Sequence, residues 1–181
     1  PTVIQSHLQS DALLAQQMRR TPGLRVPGAF NIFELAIRAV LGQQVSVAGA
    51  TTVSGRLVKT FGEAINTPFA AVTHHFPSAA LLAQLPVEEI ATIGVPRSRA
   101  ATIQNLARFA LAGGVQRKIG ASADAVVADL KTVVGIGEWT AQYIALRALR
   151  FPDAFPAGDL GLQKAAAIAP ETRITEKQLL Q

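Results

Sequence analysis

The chain is predicted to be all-α, with about ten helices, and three observations predict it. Apolar residues recur at three- and four-residue spacing in successive segments. Asn, Ser or Asp stands in front of several of these segments, where a helix N-cap belongs, and Gly or Pro follows them. At 181 residues and 49% hydrophobic, the chain is long enough for one well-packed domain or two small lobes.

Taken in order, Ser6 to Arg20 reads as one amphipathic core helix carrying Leu8, Leu13, Leu14 and Met18, with Thr21-Pro22-Gly23 as its stop. Asn31 caps a helix from Ile32 to about Gln43, with Phe33, Ile37, Val40 and Leu41 on one stripe. Ser46 starts the next, through Ala50, Val53, Leu57 and Val58 to a stop at Gly62. The joint between the two, Gly42-Gln43-Gln44-Val45, is polar: an ordinary helix corner, or a surface that meets a ligand. A loop follows from Asn66 to Pro77. His74 and His75 lie in it as solvated residues, since only His7 could join them and a metal needs more ligands.

Ser78 caps Ala79 to Leu85, Pro86 opens a short helix to Ile93, and Gly94-Val95-Pro96 turns into a helix from Arg97 to Ala112. Arg97 and Arg99 oppose the dipole of that helix, which prefers acids at its start. They are either solvated or set to meet a phosphate. Gly113-Gly114 breaks the chain, and Ser122 caps a helix from Ala123 to Val133. A second helix runs from Glu138 to Leu149 and ends at Phe151-Pro152; Asp159 then caps Leu160 to Ile168.

Between the Ala123 and Glu138 helices lies Gly135-Ile136-Gly137. It is either a plain helix cap or a turn that buries Ile136 and turns its amides outward, and amides at a helix start bind anions. Trp139 and Tyr143, the single Trp and single Tyr, follow four residues apart and share a helix face. Such a pair packs the core or forms a stacking wall. Asp159 stands where a carboxylate meets the amides of a helix start.

A formal charge of +5 and a pI near 10.2 favour a polyanionic partner or serve solubility alone. With no cysteine, disulfides, Cys-based zinc sites and Cys-ligated iron–sulfur clusters are excluded, and the cytosol is the expected compartment. No apolar run approaches a membrane span, and no leader is expected. Pro1 and the helical pattern running into Gln181 make both ends look trimmed.

Three stretches in order carry a resemblance: Phe33-Glu-Leu-Ala-Ile-Arg-Ala-Val-Leu-Gly-Gln-Gln-Val-Ser46, Gly135-Ile-Gly-Glu-Trp-Thr-Ala141 and Phe155-Pro-Ala-Gly-Asp-Leu-Gly-Leu-Gln-Lys164. The chain resembles the helix-hairpin-helix DNA glycosylases, and within them the 3-methyladenine DNA glycosylase II (AlkA-like) branch. The resemblance implies a two-lobed helical fold with a DNA cleft between the lobes: residues 1–24 packing on the second lobe, 25–115 as the first lobe, 116–181 as the hairpin lobe. It implies a monomer, in bacterial nucleoid-associated cytosol, that extrudes alkylated purines from duplex DNA and cuts the N-glycosidic bond.

Asp159 is then the catalytic carboxylate, and Trp139 and Tyr143 the wall for a cationic base. A carboxylate about 4 Å from an oxocarbenium-like sugar is worth about 4 kcal/mol at an effective dielectric near 20, roughly a thousandfold in rate. It stabilises that charge, orients the water, or both. Gln43 and Gln44 would face DNA, with Gln44 where better-known relatives place an apolar wedge. Gly135, Gly137 and Thr140, with Arg97 and Arg99, would hold phosphates. No resident cofactor or metal is implied beyond a monovalent cation at the hairpin carbonyls with DNA bound. Relatives that also cut the strand carry a lysine where this chain has Trp139, which points to a monofunctional enzyme. The family's β domain and later aromatics are missing, so a pocket wall is expected to lie outside this chain. The alternatives are a helix-hairpin-helix binding module without catalysis, or a glycosylase for another lesion.

Overall fold

A computed structural model describes residues 2–116, 120–167 and 174–180, and among these all regular structure is helical. The expected first helix is two: α1 (Thr2–Leu8) and α2 (Ala12–Arg20). The break arises because Asp11 Oδ1 accepts from the Leu14 amide at 2.9 Å, as an N-cap does, while Ser10 Oγ donates to the His7 carbonyl at 2.6 Å. Ala15 and Met18 are buried, whereas Leu14 is exposed, so only part of the expected stripe is core. The side chain of Leu13 lies outside the described residues.

Local cap chemistry sets the next boundaries. Asn31 accepts from the Glu34 amide to start α3 (Ile32–Leu41), and Ser46 accepts from Gly49 to start α4 (Val47–Phe61). Ser78 caps α5 (Ala79–Gln84), Pro86 precedes α6 (Val87–Ala91), and Pro96 precedes α7 (Arg97–Leu111). Ser122 caps α8 (Ala123–Lys131), Gly137 precedes α9 (Glu138–Arg147), and Asp159 caps α10 (Leu160–Ala166). A short α11 (Glu176–Leu179) follows; Ile168, the expected end of α10, lies outside the described residues. α8 ends short of Val133 because its final turn tightens, with Thr132 and Val133 amides bonding back to Asp129 and Leu130. The loop before Ser78 has one isolated antiparallel bridge, Ala64 to His74.

α3 joins three other helices. It packs against α4, α7 and α9, while α5 and α6 pack on α7 and α8 packs on α9. Ile37, Val40 and Leu41 are wholly buried, in one cluster with Leu57, Leu82, Ile103 and Leu106 and with Leu130, Ile144 and Leu149. Fully burying one such side chain is worth about 1.5–3 kcal/mol. That stripe makes α3 the common wall of both helix groups, and its C-terminus delivers the Gly42–Val45 joint to the hairpin. Among the described residues, no helix is long and apolar enough to cross a membrane, and no group of His, Cys, Asp or Glu is arranged to hold a metal ion.

Candidate active site

A cleft of about 1050 Å³ lies where the joint, the start of α7, the Gly135–Gly137 turn and the start of α10 converge. Its lining includes Ser46, Pro96, Gly137 and Asp159, the N-cap residues of α4, α7, α9 and α10. Four positive helix ends therefore border one depression. Neither Pro96 nor Gly137 gives its helix a side-chain cap, so amides at both starts are left for another partner.

The two turn glycines differ in what the fold asks of them. Gly135 has φ +94°, and a Cβ there would come within 1.8 Å of Thr102 Oγ1 on α7, so both conformation and space require glycine. Gly137 has φ −91° and nothing within 4 Å of its would-be Cβ. The fold does not require glycine at Gly137, and its bare backbone faces the cleft. Ile136 is buried and pins the turn, as its apolar side chain predicts.

Asp159 is held by both oxygens. Oδ1 accepts from the amides of Gly161 at 2.8 Å and Leu162 at 3.0 Å, and Oδ2 accepts from Trp139 Nε1 at 3.0 Å. A carboxylate has roughly four lone-pair directions, so this leaves an acceptor direction open. The Trp139 ring is fixed in turn by stacking on Tyr143, with centroids 5.2 Å apart and planes 21° from parallel. Arg147 backs that stack: its guanidinium lies 5.5 Å from the Tyr143 centroid, and it donates to Tyr143 Oη at 3.1 Å and to the Pro27 carbonyl at 2.6 Å.

Trp139, not Tyr143, lines the cleft; Tyr143 stands behind it, packed on the hydrophobic core. Gln43 and Gln44 both line it and differ in state. Gln43 Nε2 donates to the Gly135 carbonyl at 3.1 Å and to Thr140 Oγ1 at 3.0 Å, whereas Gln44 is exposed with φ +54°. Thr140 is buried, and its hydroxyl is engaged by Gln43. Arg99 lines the cleft and donates to the Gln43 carbonyl at 2.6 Å. Arg97 is not among the lining residues and is paired with Glu88, which neutralises the charge that looked misplaced at a helix start. Ser98, Thr102, Gly158 and Gly161 also line the cleft and carried no signal in the sequence beyond their place beside predicted site residues.

On the outer side of the hairpin, Lys131 Nζ donates to Glu138 Oε2 at 2.6 Å. Gln142 Nε2 donates to Glu138 Oε1, and Gln142 Oε1 accepts from the Phe155 amide, both at 3.0 Å. The hydrogen bond from Lys131, then that from Gln142, holds the Glu138 carboxyl below its ordinary value. This relay ties α9 to the loop that delivers Asp159.

Comparison with known proteins finds relatives along most of this chain. A Mycobacterium tuberculosis protein named probable bifunctional transcriptional activator/DNA repair enzyme AlkA is 39% identical over 166 residues, 92% of this chain and 33% of that protein. The Escherichia coli DNA-3-methyladenine glycosylase 2 is 36% identical over 138 residues, 76% of this chain and 48% of that protein. The chain thus spans a third to a half of the length of these curated relatives. Among solved structures, a 3-methyladenine DNA glycosylase from Archaeoglobus fulgidus superposes with TM-score 0.78 at 21% identity, over 99% of this chain and 62% of that one. A Schizosaccharomyces pombe 3-methyladenine DNA glycosylase in complex with abasic DNA gives 0.77 at 18% identity, over 97% and 85%. Over the superposed regions these two share the fold of this chain. The sequence profile of the HhH-GPD superfamily base excision DNA repair proteins matches residues 37–178, and with the turn, the joint and the held carboxylate all inside that span, this chain belongs to that superfamily.

Proposed function

We propose that this chain is the catalytic core of a DNA glycosylase that releases alkylated purines such as 3-methyladenine and leaves the strand uncut. The observation that carries the reading is Asp159, held through both oxygens at the edge of a cleft bordered by four helix starts. The names of the relatives support the same reading.

Duplex DNA would set a phosphate on the amides at Gly137 and the start of α9, a contact without sequence information that suits an enzyme that scans any duplex. The turn also offers carbonyl oxygens, the donors a monovalent cation takes. Those of Val133 and Gly135 each accept one hydrogen bond and keep a second lone pair. A cation there would add positive charge beside the phosphate. Gln44, at the exposed tip of the joint, would enter the stack and bond an orphaned base.

An extruded base would stack on Trp139, where a ring already cationic through alkylation gains about 0.5–2 kcal/mol from the indole face. Such a base leaves without strong acid help, so the chain needs only a charge to meet the developing oxocarbenium ion. Asp159 supplies it without reorganising, because three N–H donors already fix it. The remaining acceptor direction can hold the attacking water. Strand cleavage by a Schiff base needs an amine at the sugar, and none of the cleft-lining residues is a lysine; Lys131 is paired with Glu138 on the outer side.

The test is release of bases from methylated duplex DNA, with released bases identified by chromatography and strands examined before and after alkali. Methylated purines released, with nicking only after alkali, is the expected result. Nicking before alkali would overturn the monofunctional assignment.

A further inference from the structure

We propose that Gln43 is a positioning residue, a strut that fixes the distance between the phosphate-binding turn and the tip at Gln44; this rests on the glycosylase reading above. Its side-chain amide crosses from the α3–α4 joint to the hairpin, to partners 92 and 97 residues away in sequence. Because the Gly135 carbonyl can only accept, the amide nitrogen faces the turn and the assignment of Nε2 is forced. The backbone carbonyl of the same residue accepts from Arg99 on α7. One residue thereby joins the joint, the hairpin and the first turn of α7.

What the strut supports is the residue after it. Gln44 lies in the left-handed region, φ +54°, where a residue with a Cβ persists only if its surroundings hold it there. Arg99 holds the peptide immediately before, and Gly135 and Thr140 hold the Gln43 side chain. Thr140, at 3% exposure, has its hydroxyl turned to Gln43, so it serves the strut. The side chain of Gln43 is likewise occupied in the free protein. It acts through the turn and the tip, and its loss lets the two drift relative to each other. A misplacement of about 1 Å costs a positioned reaction on the order of a hundredfold.

Gln43→Met keeps the length of the side chain and removes both donated hydrogen bonds. Affinity for undamaged duplex should change less than about threefold, while single-turnover base release at saturating enzyme falls about 10- to 100-fold. In a Thr140→Val background, which already lacks one end of the strut, Gln43→Met should add much less than it does alone. Weakened duplex binding with an unchanged saturated rate would overturn the proposal, since it would make Gln43 a direct DNA contact. Fully additive losses in the two backgrounds would overturn it as well. If the wild-type chain releases no base, the glycosylase reading is what fails, and the strut is read from urea unfolding: non-additive midpoints for Gln43→Met and Thr140→Val support it, additive midpoints refute it.

Discussion

Trp139 Nε1 donates to Asp159 Oδ2 at 3.0 Å, so the one indole of the chain both faces the cleft and aims the carboxylate beside it. The two functions separate in Trp139→Phe, which keeps an aromatic face and removes the N–H. A hydrogen bond to a charged group contributes about 1.5–3 kcal/mol. Trp139→Phe should therefore lower the single-turnover rate of base release about 10- to 100-fold with little change in DNA affinity. An unchanged rate would mean that the helix amides alone orient Asp159.

Gly135→Ala and Gly137→Ala should part company. The first forces a Cβ into Thr102 at φ +94°, and a strained backbone alone costs about 1–3 kcal/mol, so urea unfolding should shift to a clearly lower midpoint. The second meets open space at φ −91° and should leave the midpoint nearly unchanged while weakening binding to duplex DNA. Equal effects on stability would contradict the separation of roles.

That contrast marks how far the sequence could be read. Caps are local chemistry, and Asn31, Ser46, Ser78, Ser122 and Asp159 all cap where their neighbours predict. Asp11 was hidden because it interrupts a run whose apolar spacing continues across it. The glycines of the turn look alike in sequence; only Thr102, brought in by α7, distinguishes them. Likewise the Trp139–Tyr143 stack follows from helical spacing, but which ring meets the cleft depends on Arg147 and the segment at Pro27, 120 residues apart. The engagement of Gln43 with Gly135 and Thr140, and of Arg97 with Glu88, has no local signature.

Glu138 gives a prediction in pH. Its folded value lies below the ordinary 4.5, chiefly through the hydrogen bond from Lys131, so its contribution is present above about pH 4.5 and fades as pH falls through the lower folded value. The carboxyl is nearly half exposed, which keeps the effect small. Relative to wild type, Glu138→Gln should unfold at a slightly lower urea midpoint at pH 7, and the gap should narrow toward pH 3. A gap that widens on acidification would contradict the sign.

The central claim is that Asp159 meets the charge that develops on the sugar, and the most direct measurement is single-turnover release of methylated purines by wild type and Asp159→Asn. In either orientation the amide of Asp159→Asn turns its NH2 toward a donor, the indole or the α10 amides, so folding is checked in parallel by urea unfolding. Base release by wild type that falls about a thousandfold in the variant, with duplex affinity retained, is the predicted result. A folded variant that releases bases at a rate near wild type would contradict it.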